Sequence, residues 1–347
     1  MRFRNAIKQT FWNQKQERLR ALWRLILHTI LLVIFVNVFF IVLFLVGGIF
    51  GPLIGFDLQE SINGVQPLQM VESPWLGTII IPGATVLAVF SATYLSGKWI
   101  DKRKITEFGI TTSKDWWRDF IFGLALGAFL MGLIFIFGWL TGNIRVMGFF
   151  QSSWSEISFL NGFVQSLFFF VCVGFYEELL SRSYHLINLA EGLHVSFLDK
   201  KAALVLAIIL SSIVFGLLHA NNPHATWIST LNISLAGIFL GLGMYLTGSL
   251  AIPIGLHITW NFFQGNVFGF PVSGISSGAT IIATEAVGPQ WLTGGLFGPE
   301  AGVLGLAAMV LGSILTLLWV KRQGALSLST DLAEYDITRQ DIITPSN

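Results

Sequence analysis

Apolar residues in this chain gather into long runs and do not alternate with polar ones. The runs recur at close to twenty residues and predict eight helical spans, at about 25–46, 76–97, 119–140, 161–181, 202–219, 226–246, 250–268 and 302–320. About 20 apolar residues are what a helix needs to cross a hydrocarbon core of roughly 30 Å. A helix also satisfies its backbone N–H and C=O groups within its own segment, as lipid requires. The expected fold class is therefore all-α, a polytopic transmembrane helical bundle. The polar punctuation divides the chain into a basic arm over 1–24, a first span with an external loop over 25–74, a main transmembrane domain over 75–320 and a polar tail over 321–347. From Gly324 that tail reads as mobile. No internal repeat and no second soluble domain is visible.

Composition sharpens this picture. The 347 residues are 54% hydrophobic and 11% charged, against roughly 25% charged residues in soluble domains. A net charge of +1 says less than its distribution, because Lys and Arg collect in cytoplasmic loops. With the N-terminus inside, segments 1–24, 97–118, 182–201, 247–249 and 321–347 hold 19 of the 20 Lys and Arg, leaving Arg145 outside. Both termini are thus expected in the cytoplasm, with the protein in the plasma membrane. The first apolar stretch is too long for a signal peptide and is expected to be retained. The Trp-containing arm before it reads as an interfacial anchor and topology signal, with anionic-lipid contact second. Cys172 stands alone inside a span, so no intrachain disulfide is possible, and it reads as a packing residue. The bilayer is the implied partner, and no nucleic-acid partner is expected.

Ionisable groups at membrane depth are costly and mark function by default. Glu177 and Glu178 follow the apolar run FFFVCVG near the inner end of the fourth span. His219 ends the fifth, and His257 and Asn261 lie in the seventh. Glu178 and Arg182 are four apart and can pair on one helix face. Glu177 is rotated about 100° from Glu178 and needs another partner, or stays protonated. His257 and Asn261 share a face and must meet a polar cavity or other polar groups. Together these groups make an acid–base site: a glutamate to take a proton from water, a histidine to orient it, and two donors for an oxyanion. A network that merely glues helices is the alternative, but small-residue spacings such as Gly123–Gly127 and Gly237–Gly241 already bring helices close without it. His28 is isolated and reads as an interfacial or packed histidine.

The three clusters resemble the motifs of the CAAX-protease and bacteriocin-processing group, also called Abi or CPBP intramembrane proteases. That family carries E-E-x-x-x-R, F-x-x-x-H and H-x-x-x-N on successive helices. Here they read EELLSR from Glu177 to Arg182, FGLLH from Phe215 to His219, and HITWN from His257 to Asn261. Softer likenesses are IDKRKITEFGI at 100–110, TGSLAIPIGLH at 247–257 and GGLFGPEAG at 294–302. The resemblance implies a glutamate-dependent endopeptidase cutting a membrane-associated protein or peptide. Carried over, Glu177 is the base that activates water and His219 helps hold that water. His257 and Asn261 then stabilise the oxyanion, and Glu178 with Arg182 supports the geometry. One Glu and two His also form a zinc-like complement, but HExxH is absent. No cofactor is required in the preferred reading, with zinc or another divalent metal as the alternative.

Three other readings compete. A G-x-S-x-G match at Gly274–Gly278 lies in a Gly/Ser-rich loop without the strand-to-helix turn that exposes a nucleophile. A proton-coupled transporter would use the same titratable groups, but the repeated halves common in such transporters are not seen. A low-turnover binding or immunity scaffold is the third, and the filled motif positions weigh against it.

Overall fold

A computed structural model of the chain describes residues 10–50, 75–153, 157–324 and 326–335. Most of the expected first external loop, the first nine residues of the arm and the end of the tail lie outside the described residues. The helices are α1 (Ala21–Phe50), α2 (Leu76–Asp101), α3 (Lys114–Leu140), α4 (Phe159–Leu193), α5 (Lys200–Leu218), α6 (Trp227–Thr247), α7 (Ala251–Phe262) and α8 (Val303–Lys321). All except α7 are long and apolar enough to cross a membrane. The protein is a polytopic helical bundle, as its apolar runs require. Polar residues set several starts. Ser113, Ser158, Asp199 and Thr226 each accept a backbone N–H from the first turn that follows, the usual role of an N-cap.

The seventh predicted span is the exception in length and in surroundings. α7 has 12 residues, prolonged by one wide turn over Phe263–Val267. From Ala251 to Ile258 every residue is buried. It lies at the centre of the bundle, packed on α3, α4 and α6. Glycine makes this possible: a Cβ on Gly127 would lie 2.6 Å from the Leu256 carbonyl, and one on Gly255 2.4 Å from that of Phe120. α3 and α7 therefore touch backbone to backbone, and the Gly123–Gly127 spacing does the packing expected of it.

Two small antiparallel strand pairs interrupt the helical pattern, and neither was expected. β1 (Trp12–Asn13) pairs with β2 (Arg18–Leu19), and β3 (Ile144–Ser152) pairs with β4 (Ala279–Ala286). The second pair ties the loop after α3 to the loop after α7, at the end of the bundle away from α1's start.

Three expectations need correcting. First, α4 does not end near 181. It widens into a π-type turn over Leu179–His185 and continues to Leu193, because Leu186, Ile187 and Ala190 supply a further buried face. Arg182 is therefore a buried helical residue and not part of a loop. Second, the basic arm is not only an interfacial anchor. Arg18 and Arg24 are buried and both pair with Glu191 of α4, at 2.5 and 2.7 Å. Arg103 pairs with the same carboxylate, and Arg24 also meets Asp101 at 2.9 Å. Burial pulls the Arg18 guanidinium down to about 10, with Glu191 opposing, so it stays charged at neutral pH. Third, the described part of the tail is anchored. Leu332, Ala333 and Tyr335 are buried, Ser329 donates its N–H to Tyr245 O at 2.8 Å, and the Arg18 guanidinium lies 3.4 Å over the Tyr335 ring. His28 is packed, stacked 3.8 Å from Tyr184.

The arm, the ends of α2 and α4 and the tail thus meet at one end of the bundle. The orientation of that end rests on the Lys and Arg distribution. Single cysteines at Lys15, Gln290 and Arg322, all exposed, in a background where Cys172 is replaced, should label asymmetrically. An impermeant maleimide added to intact cells should reach only position 290. Labelling of 15 or 322 under those conditions overturns the orientation.

Candidate functional site

The predicted site residues converge where α4, α5 and α7 meet around a cavity of about 580 Å³. Glu177, His219, His257 and Asn261 all line it, with Trp260 beside them. Most of its wall is apolar, from Phe169, Phe170 and Val173 of α4 to Ile233 and Leu240 of α6.

Glu178 is fully buried behind this wall and joins two helices. One of its oxygens accepts from His257 Nδ1 at 2.7 Å and faces Arg182 Nη1 at 3.2 Å. A carboxylate can only accept, so Nδ1 carries a proton. The other ring nitrogen of His257, Nε2, faces Glu177 on the cavity side. The expected Glu178–Arg182 pair is present, and the Glu178–His257 bond is what the sequence reading missed.

Glu177, rotated away from Glu178, faces His257 from the cavity side. Its Oε2 lies 4.0 Å from His257 Nε2 and makes no direct hydrogen bond among the described residues. At that separation two polar groups are suited to a bridging water.

The FGLLH motif has a local logic. The Phe215 carbonyl accepts from His219 Nδ1 at 2.8 Å, so Nε2 is the ring edge left as an acceptor. The Phe215 ring lies 3.8 Å from the Arg182 guanidinium, a cation–π contact that shields a buried charge. One residue thus fixes both a histidine tautomer and an arginine. Asn261, one turn beyond His257, lines the cavity and makes no hydrogen bond among the described residues.

Two polar groups near the cavity were not foreseen. Glu300 precedes α8 and is buried, and burial pushes its carboxyl up to about 7. Asn222 follows His219 by one turn and also lines the cavity. A lone acid in the apolar stretch GGLFGPEAG was the available signal for the first. The G-x-S-x-G stretch lies in the loop above the site. Gly274 has φ +85°, and a Cβ there would sit 1.9 Å from the Pro223 carbonyl. That glycine serves a close backbone contact, not a nucleophile elbow.

Among the described residues no three His, Cys, Asp or Glu side chains converge as a metal site requires.

Fold and cavity define an integral membrane protein with an acid–imidazole–amide site among its helices. Residues 159–263 match the family described as Type II CAAX prenyl endopeptidase Rce1-like. The matched stretch runs from the start of α4 to the end of α7 and includes all six predicted site residues. The likeness read from the three motifs is borne out, and the match supports an intramembrane CAAX-type endopeptidase in general. No curated protein and no solved structure matches the chain.

Proposed function

We propose that this protein hydrolyses a peptide bond of a membrane-associated protein or peptide, using water activated by Glu177. The observation that carries the reading is the placement of Glu177, His219, His257 and Asn261 on one cavity, with Glu178 and Arg182 buried behind it. Water donates to the Glu177 carboxylate and to His219 Nε2, and Glu177 takes its proton as the oxygen attacks the carbonyl carbon. The oxyanion that forms is met by His257 Nε2–H and the Asn261 amide N–H. Collapse expels the amine, which takes the proton from Glu177, so the base is regenerated. Glu178 holds His257 in register and Arg182 balances its charge. The apolar wall fits an apolar segment of substrate, and the plasma membrane is the proposed location.

Purified protein assayed against a peptide library tests this, with wild type beside Glu177→Gln. Activity should survive exhaustive chelation. Loss on chelation and recovery with zinc would overturn the metal-free chemistry, and cleavage by neither protein would overturn the protease.

A further inference from the structure

The loop that roofs the cavity is tied at one point to a buried acid and at another to the turn carrying His219. Glu300 Oε1 accepts the Ser273 N–H at 2.5 Å and the Ser273 hydroxyl at 3.2 Å. Its Oε2 accepts from Gln264, which also donates to the Pro271 carbonyl at 2.6 Å. The Ser273 carbonyl in turn accepts from Asn222 Nδ2 at 2.9 Å. The Asn222 N–H donates to the His219 carbonyl at 3.1 Å. Gly274 adds a direct backbone contact on Pro223, three residues beyond Ala220. An unbroken path of short bonds therefore runs from Glu300 through Ser273 and Asn222 to the turn that ends α5.

The geometry points to Glu300 as a positioning residue: through Ser273 and Asn222 it fixes the turn that aims His219 into the cavity. This goes beyond the catalytic roles above and rests on that reading only for its kinetic consequence. A carboxylate enclosed by an apolar bundle is expensive, and this one has no charged partner among the described residues. The one titratable side chain of α6 is Tyr245, near its C-terminal end beside Ser329; the segments 263–278 and 290–299 contain none, and Lys321 is at the far end of α8. The titratable groups that share its cavity are Tyr176, Glu177, His219 and His257. All the groups bonded to Glu300 are neutral donors, and they match the ionised form. A neutral glutamine would accept at one position but present a second donor to Gln264. Its carboxyl, pushed up to about 7 by burial, therefore exchanges a matched acceptor for a poorer one as pH falls through neutrality.

The test uses the full-length protein and two substitutions, Glu300→Gln and Asn222→Ala. Asn222 is half-buried on a loop, so its replacement is expected to fold even if Glu300→Gln does not. Hydrogen–deuterium exchange should rise in residues 217–226 in both variants, whatever the protein cleaves. If cleavage is seen, kcat should fall by about tenfold to a hundredfold with little change in KM, as for a small misplacement of a reacting group. Combining the two should cost little more than either alone, since they act along one path. The wild-type kcat should also decline as pH drops through about 7, a limb that flattens in Asn222→Ala although the carboxyl is still present. Unchanged exchange in 217–226 overturns the inference, as does a neutral-pH limb that survives in Asn222→Ala. Absence of cleavage in wild type would count against the protease alone, because the exchange arm reads the coupling independently.

Discussion

Glu177→Gln is expected to fold normally and to cleave at least about 10²-fold more slowly, the lower range for loss of a general base. Glutamine keeps the size and polarity of the side chain, so the half-buried position beside His257 should accept it. What is lost is the basic oxygen that receives the proton of water. His219→Ala should resemble Glu177→Gln, because its Nε2 is the other acceptor for that water. Combining the two should add little, since residues that act as a unit are not additive. Asn261→Ala should cost roughly 10²–10³-fold, the range for an oxyanion donor. Steady-state cleavage of one peptide by the purified set, with thermal unfolding as a folding control, measures all four. A folded Glu177→Gln that cleaves at the wild-type rate would end the protease reading.

The spans were legible because lipid leaves little choice: an apolar run of sufficient length must be a helix. The candidate site residues were legible for a related reason, since carboxylates and imidazoles are rare inside the apolar runs. What the sequence concealed is pairing over distance. Glu178 and His257 are 79 residues apart, and only the packing of α7 on α4, with Gly174 against Ile258, brings them to 2.7 Å. Arg18 and Arg24 likewise look like any interfacial arginine until Glu191 is seen to be buried at the end of an extended α4. That extension was missed because Arg182 reads as the start of a loop, when its charge is in fact balanced inside the helix. The tail failed in the same way, its polarity concealing Leu332 and Tyr335, which pack on the bundle. Composition reports what a segment prefers alone, and each miss is a segment decided by a partner elsewhere in the chain.

That distinction gives the second large prediction, which concerns Arg182. Replacing it with Ala removes the guanidinium beside a fully buried carboxylate, and breaking a buried pair in this way costs roughly 3–5 kcal/mol. Folded yield should fall sharply. If Glu178 served Arg182 alone, the double change Glu178→Gln with Arg182→Met would restore both folding and activity, since neither charge is left unpaired. The structure gives Glu178 a second duty. Its oxygen also holds His257 Nδ1 at 2.7 Å, and a neutral glutamine accepts that bond less strongly than a carboxylate. The double variant should therefore recover folded yield while cleavage stays depressed, because His257 is then held in register less firmly. Yield by size-exclusion chromatography and cleavage on the same samples separate the two effects. Recovery of both together would show that Glu178 supports the fold alone, and equal loss of yield in single and double variants would exclude a direct Glu178–Arg182 pair.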